Sequence, residues 1–141
     1  MYASRICADK PDSIGSLKAV CTNIRSIENN FHELGVSVED LSPTIVAITE
    51  TWLISNIEDT PELCGFICLL SDRVSGRKGG GVALYINNSL HVRSWKSEAH
   101  ESGTSEIVSC EITFSTGTLL TGVLYRSPYY QCDDFTLVHL K

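Results

Sequence analysis

Two polar residues stand where apolar, strand-like segments of the chain end. The segment Thr44 to Thr49 is rich in β-branched residues, as in a buried strand, and Glu50 follows it directly. Asn23 follows a shorter apolar segment, Leu17 to Thr22. A carboxylate that leaves the core at such a point, with an amide beside it, could serve a ligand-binding site if the fold brings the two together.

The sequence between Asn23 and Glu50 predicts a fold that brings these two residues together. Ser26 can cap a helix whose apolar residues recur every three or four positions, although Gly35 weakens that helix and could end it early. These apolar residues are Ile27, Phe31, Leu34, Val38 and Leu41. Strand, helix and strand in this order form a right-handed βαβ unit with parallel strands. Asn23 and Glu50 should therefore meet at the sheet edge where open α/β sheets bind ligands.

After this unit the sequence reads mostly as hairpins, which predicts a mixed sheet. The turn Thr116-Gly117 suggests a hairpin between its two flanking strands, and residues 96–104 read as a polar loop. Asp133 and Asp134 can cap a final helix that carries Phe135. The predicted strands of this part are Phe66–Leu70, Gly80–Ile86, Leu90–Trp95, Ile107–Phe114 and Leu119–Tyr125.

Each of these features also has a simpler explanation. Polar residues at strand ends often only cap the turn that follows. The triplet Gly79-Gly80-Gly81 is not a phosphate loop, because such a loop has its glycines before the lysine and a helix after it. These glycines are more typical of a close turn or bulge at the start of a strand. On composition alone, Tyr125 reads as a packed tyrosine and Arg126 as a solvated arginine.

The bulk properties fit one globular domain. The chain has 141 residues, 43% of them hydrophobic and 20% charged, and a net charge of −6, which argues against a generic basic nucleic-acid coat. Residues 1–16 read as a loose leader, and the domain is expected over 17–141. No signal peptide and no apolar run of membrane-spanning length is present, so an intracellular protein with free cysteines is expected.

Four segments taken together resemble successive motifs of one family, in the family's order. They are CTNIRSI (21–27), IVAITETWL (45–53), SDRVSGRKGGGVALYI (71–86) and GVLYRSP (122–128). The family is the endonuclease/exonuclease/phosphatase superfamily, in the version found at the N-terminus of non-LTR retrotransposon polyproteins. The resemblance covers nearly all of residues 17–141, as the N-terminal half of such a domain.

The resemblance implies an α/β fold of two packed mixed sheets with flanking helices, and metal-dependent cleavage of phosphodiester bonds in DNA. Asn23 matches the asparagine that helps to hold the scissile phosphate, and Glu50 matches the glutamate that binds Mg²⁺ or Mn²⁺. Tyr125 matches the tyrosine whose hydroxyl reaches the phosphate. The three side chains are expected to converge on one cleft. A downstream reverse transcriptase and a nuclear location are further implications of the resemblance.

Two motifs of the family are missing from the 141 residues. The sequence contains neither a Gly-Asp-Phe-Asn segment nor a Ser-Asp-His segment, which supply further catalytic groups in that family. The chain is therefore expected to be an inactive fragment, with part of its apolar strand faces left in water. Two alternatives remain: a noncatalytic nucleic-acid or protein-binding remnant that uses the basic residues of 73–96, and an unrelated α/β domain.

Overall fold

A computed structural model of the chain describes residues 16–54, 60–74 and 79–128. Within them, sheet A has the strand order β1-β2-β4-β3 and sheet B the order β5-β6-β7. The elements are β1 (Ala19–Asn23), α1 (Ile27–Leu41), β2 (Ile45–Thr49), β3 (Phe66–Ser71), β4 (Val82–Asn87), β5 (His91–Ala99), β6 (Ser105–Phe114) and β7 (Gly117–Arg126). The predicted two-sheet α/β architecture is confirmed. The predicted leader and the predicted final helix lie outside the described residues.

The first crossover is the predicted βαβ unit. Strands β1 and β2 are parallel, with Asn23 opposite Thr49, whereas the remaining strand pairs of both sheets are antiparallel. Since Glu50 follows Thr49, the ends of β1 and β2 place Asn23 and Glu50 at the same edge of sheet A. The mixed sheet arises because β4 and β3 then add to β2 as a hairpin-like antiparallel pair.

Helix α1 begins differently from the prediction. Ser26 has a φ of 83° and makes no side-chain capping bond. The backbone amides of Ser26 and Ile27 instead donate to the carbonyls of Glu50 and Thr51, at 2.9 and 3.0 Å. The first turn of the helix is therefore tied to the segment that leaves β2. The helix runs through Gly35 to Leu41, and the described residues include no helix with the length and hydropathy of a membrane span.

The core consists of two hydrophobic clusters on opposite faces of sheet A. Strand β4 is buried throughout Val82–Ile86, with alternate residues in the cluster against sheet B and the cluster under α1. Strand β2 is similarly divided between both clusters. Part of the apolar faces of Ile45–Ile48, Val82–Ile86 and Leu119–Leu124 was expected to lie in water, and this expectation is wrong for the first two segments, which are buried in β2 and β4. Residues 119–124 of β7 are only partly buried, and Leu120 is 71% exposed.

Two local predictions are also corrected. Strand β5 extends to Ala99, so the first part of the predicted loop 96–104 is strand, paired with β6 from Ser109 to Glu106. The polar composition misled because β5 is an edge strand whose residues are mostly exposed. Cysteines 21, 68 and 110 are free as predicted, whereas Cys64 belongs to a disulfide.

We predict that Gly35→Ala stabilises the protein. A Cβ added at Gly35 meets nothing within 4 Å, and the position is in the middle of α1. Replacing a helical glycine with alanine should therefore raise the free energy of unfolding by about 0.5–1 kcal/mol. Urea unfolding measures this change. The contrasting variant is Gly122→Ala, whose Cβ would lie 2.6 Å from the carbonyl oxygen of Val108 and should destabilise the β6–β7 pair. A loss of stability in Gly35→Ala would contradict the prediction.

Candidate active site

The segment that leaves β2 has an unusual backbone that projects Glu50 from the sheet edge. Glu50 and Trp52 have φ values of 59° and 57°, in the left-handed region that residues other than glycine rarely adopt. The amides of Thr51 and Trp52 donate to the carbonyls of Gly81 and Gly80, at 3.3 and 3.0 Å. Together with the bonds from the start of α1, these interactions fix the segment on both sides.

In the glycine triplet before β4, close contacts leave no room for a side chain at Gly80 and Gly81. All three glycines have positive φ values, of 97°, 74° and 83°. A Cβ at Gly80 would lie 2.4 Å from the guanidinium of Arg73, and a Cβ at Gly81 would lie 2.3 Å from the Thr51 hydroxyl oxygen. The interpretation of this triplet as a close turn at a strand start therefore fits the structure. Arg73 and Thr51 occupy the space that side chains would fill.

The Glu50 carboxylate is surrounded by donors. Its Oε2 atom accepts hydrogen bonds from the Trp52 indole Nε1 and, at 3.0 Å, from the Gly80 amide. The Tyr125 hydroxyl also bonds to this carboxylate. Burial raises the pKa of Glu50, but these hydrogen bonds and the charge of Arg73 outweigh it, so the pKa lies below its ordinary value. Glu50 is therefore ionised at neutral pH.

Tyr125 brings sheet B to the same place. It lies on β7 directly opposite Glu106 of β6, and its ring packs against the hydrophobic cluster between the sheets. Burial and the hydrogen bond to Glu50 raise the pKa of Tyr125 to about 12, although Arg73 opposes the shift. The hydroxyl therefore keeps its proton at neutral pH and donates a hydrogen bond to the Glu50 carboxylate.

A buried ion pair between Arg73 and Glu106 lies next to Tyr125 and the glycine turn. The Nε atom of Arg73 lies 2.9 Å from Oε1 of Glu106, and the two side chains are 10% and 0% exposed. The guanidinium also stands over the Tyr125 ring, with its carbon 5.9 Å from the ring centroid. The Gly81 amide donates to Glu106. Arg73 thus contacts the glycine turn, the tyrosine ring and the buried carboxylate.

Sequence reasoning missed this pair. It placed Arg73 in a basic surface cluster, whereas the side chain is almost fully buried. Glu106 gave one signal that could have been used, namely a charged residue at the start of a strand whose alternate positions are apolar and buried. A buried carboxylate requires a cationic or hydrogen-bonding partner. The sequence does not show which of the 11 lysines and arginines supplies it.

Asn23 is placed by strand register. It lies opposite Thr49 on β1, and side chains alternate along a strand, so both residues lie on the face of sheet A that bears Ala47. Ala47 packs in the cluster between the sheets, as Tyr125 does. The fold therefore puts Asn23 at the edge and on the face from which Glu50 and Tyr125 meet. The catalytic assignment of the three residues stays a prediction.

The chemistry available at this edge is that of one ionised, partly accessible carboxylate held by neutral donors. Such an oxygen suits a hard divalent cation, which takes one or two carboxylates and completes its shell with water and phosphate oxygens. The described residues contain no cluster of three or more histidine, cysteine, aspartate or glutamate side chains that could hold a metal by themselves. Glu106 cannot add to the site, because it is fully buried against Arg73.

Comparisons with known proteins identify the fold. The sequence matches no protein-family model and no curated protein. The structure is similar to an AP endonuclease from Archaeoglobus fulgidus (20% identity, TM-score 0.52) and to D. rerio TDP2 in a complex with a single-strand DNA product (12% identity, TM-score 0.60). It is also similar to the 3′ phosphatase NExo from Neisseria, bound to a product DNA hairpin (14% identity, TM-score 0.55).

These alignments cover much of this chain and less than half of each of the three proteins. They span 69%, 82% and 74% of the chain, but 37%, 48% and 40% of the matched structures, respectively. At these identities the likeness is one of fold. The fold is the endonuclease/exonuclease/phosphatase type that the sequence motifs implied, and the chain spans about half the length of its structural neighbours or less.

We predict that removing the positive charge of Arg73, which pairs with Glu106 next to the site, destabilises the protein strongly. Arg73→Met leaves the Glu106 carboxylate buried without its cationic partner, which costs about 3–5 kcal/mol in typical buried pairs. Burial raises the pKa of Glu106, and the loss of Arg73 raises it further. The penalty should therefore be present above that raised pKa and shrink as pH falls toward the ordinary glutamate pKa, where Glu106 is protonated.

Urea unfolding at several pH values measures this penalty. Arg93→Met is the control, because Arg93 is exposed on β5 and its loss should change stability by less than about 0.5 kcal/mol. The double variant Arg73→Met/Glu106→Gln should recover part of the lost stability, since a neutral amide is less costly to bury than a charge. A pH-independent penalty for Arg73→Met would show that the pair does not carry the effect.

Proposed function

We propose that the chain is part of a metal-dependent nuclease that hydrolyses phosphodiester bonds in DNA. The observation that supports this function best is the Glu50 carboxylate. It lies at the shared edge of two parallel strands, is kept ionised by Tyr125, Trp52 and Gly80, and belongs to a fold shared with an AP endonuclease and a 3′ phosphatase. Open α/β sheets bind their ligands at this edge.

Glu50 is the residue proposed to hold Mg²⁺ or Mn²⁺. The lowered pKa of Glu50 keeps the oxygen ligand charged, and the Trp52 indole, the Gly80 amide and the Tyr125 hydroxyl orient the carboxylate. A bound divalent cation would supply charge stabilisation for phosphate oxygens. The protein's own part is to hold the carboxylate in one orientation before any ligand arrives.

Asn23 and Tyr125 are proposed to hold the phosphate. An amide donates hydrogen bonds without a charge, and Tyr125 stays protonated because its pKa is raised to about 12. Neutral donors of this kind can stabilise a phosphate oxygen as it gains charge. The single Tyr125 hydroxyl proton is hydrogen-bonded to Glu50 in this structure, so in this proposal it turns to the phosphate when Glu50 binds the cation. Neither residue is placed to act as a general base, because an amide does not titrate and the phenol does not lose its proton at neutral pH.

We also propose the finer context that the motifs imply. In this proposal the chain derives from the endonuclease domain of a non-LTR retrotransposon, lies upstream of a reverse transcriptase, and nicks target DNA in the nucleus. Since the sequence contains neither Gly-Asp-Phe-Asn nor Ser-Asp-His, the 141 residues are proposed to be inactive alone. A positioned acid or base contributes about 10²–10⁴-fold to rate, so the loss of both segments would abolish turnover.

The alternative of a noncatalytic binding remnant has weaker support. It relies on a basic cluster in residues 73–96, but Arg73 is bonded to Glu106 and 10% exposed. Arg93 and Lys96 are exposed on β5. The net charge of −6 gives no general attraction to phosphate. The geometry at Glu50 has no role in that alternative.

We predict that nicking of plasmid DNA requires both the missing segments and Glu50. With magnesium, the 141-residue chain alone should not nick. A fusion that appends the Gly-Asp-Phe-Asn and Ser-Asp-His segments of a complete domain should do so. Glu50→Gln in the fusion should lower the rate by about 10²-fold or more, because the carboxylate charge is lost while the shape is kept.

Glu101→Gln is the matched control, since Glu101 is exposed in the turn between β5 and β6, and it should leave nicking unchanged. Supercoiled and open-circular plasmid are separated on agarose and quantified over time. Glu50-dependent nicking by the short chain would show that the two absent segments are not essential. Nicking by the fusion that survives Glu50→Gln would refute the proposed metal site.

A further inference from the structure

Trp52 is held in a fixed position beside Glu50. Its indole Nε1 donates to Oε2 of Glu50, and its backbone amide donates to the carbonyl of Gly80 at 3.0 Å. Its φ of 57° is an uncommon conformation for a bulky residue. Such strain persists only where surrounding contacts impose it, and it concentrates at functional sites. Here the hydrogen bonds to Glu50 and to the glycine turn are those contacts.

The indole is nevertheless exposed to solvent. Trp52 is 42% exposed and Ile54 is 84% exposed, whereas the alternating residues Thr51 and Leu53 are 1% and 9% exposed. Thr51 and Leu53 therefore anchor the segment, while Trp52 and Ile54 face outward. Since the only polar atom of the indole is already bonded to Glu50, the side-chain surface that Trp52 can offer to a ligand is the carbon surface of its ring. The chain thus presents a rigid aromatic surface next to its candidate metal ligand.

We propose that Trp52 is the surface on which a nucleobase of the DNA strand stacks when the phosphate lies at Glu50. This inference rests on the proposed function and adds a substrate-contacting residue to it. Stacking on an aromatic side chain is tolerant of base identity, because every base has a π-face. The acidic chain gains little from general attraction to phosphate, so an uncharged contact of this kind carries more of the affinity.

The two tryptophans of the chain allow a direct test. Trp95 is 51% exposed and lies midway along the edge strand β5, opposite Cys110 and away from the Glu50 edge. Trp95→Phe leaves Trp52 as the only tryptophan, and Trp52→Phe leaves Trp95. Addition of oligodeoxythymidylate with magnesium, under which the 141-residue chain should not cleave DNA, should quench the fluorescence of the Trp95→Phe protein. The same addition should leave the fluorescence of the Trp52→Phe protein nearly unchanged.

Affinity is measured in parallel by the anisotropy of fluorescein-labelled oligodeoxythymidylate. Trp52→Ala should weaken binding by about 5- to 150-fold, the range for loss of one stacked base. Trp52→Phe should retain most of the affinity, because the phenylalanine ring can still stack on a base. This variant also removes the hydrogen bond to Glu50, so it separates the two roles of Trp52. The ratio of the dissociation constants of Trp52→Ala and the parent protein should be the same at low and high salt, since no charge is removed. Circular dichroism confirms that each variant is folded.

The outcomes separate this inference from the proposed function. Binding that leaves Trp52 fluorescence unquenched, or that Trp52→Ala does not weaken, overturns the stacking role and leaves the nuclease proposal intact. Equal quenching of both single-tryptophan proteins also overturns it, because Trp52 would then have no special position. If the parent protein shows no anisotropy change at any accessible concentration, both DNA binding and the stacking role are refuted. Weakening by Trp52→Ala and Trp52→Phe to the same extent would assign the effect to the lost hydrogen bond and refute stacking.

Discussion

The charge of Glu106 lies where water does not reach it, and the geometry of the site follows from how that charge is compensated. A carboxylate that is fully buried needs a cation with fixed hydrogen-bonding geometry, and Arg73 provides one at 2.9 Å. Once the guanidinium is in place, the residue beside it can only be glycine, since a Cβ at Gly80 would overlap it. The tyrosine ring beneath the guanidinium is fixed by the same contact.

Glu50 depends on this arrangement through the glycine turn. The amide that holds its carboxylate belongs to Gly80, and the carbonyls that fix the two following residues belong to Gly80 and Gly81. The left-handed backbone at Glu50 and Trp52 would be unfavourable in a free loop. Hydrogen bonds from α1 on one side and to the glycine turn on the other compensate for it. The donors around the carboxylate are therefore oriented before any ligand binds, which is the condition for effective electrostatic stabilisation.

The sequence was sufficient for the features that depend on local pattern. Strand periodicity and the apolar stripe predicted β1, α1 and β2 within a few residues, and the parallel crossover then placed Asn23 and Glu50 at one edge. The features that it did not predict depend on contacts between distant segments. The helix start is satisfied by carbonyls after β2 instead of by Ser26, and Arg73 is buried by Glu106 from another sheet. Polar residues of β5 read as a loop because pairing with β6 is not encoded in their own pattern.

The register between β6 and β7 links the turn that connects them to the position of Tyr125 in the candidate site. Phe114 faces Gly117, so two residues form the turn, and this register places Glu106 opposite Tyr125 at the far end of the ladder. A register slip of one residue reverses the face on which every side chain of a strand lies. An insertion at the hairpin tip that shifted this register by one residue would therefore separate Tyr125 from Glu50 without altering any residue of the site. Although the tip itself is solvent-exposed, a change in its length is compatible with the candidate site only if it keeps Glu106 opposite Tyr125 at the other end of the strands.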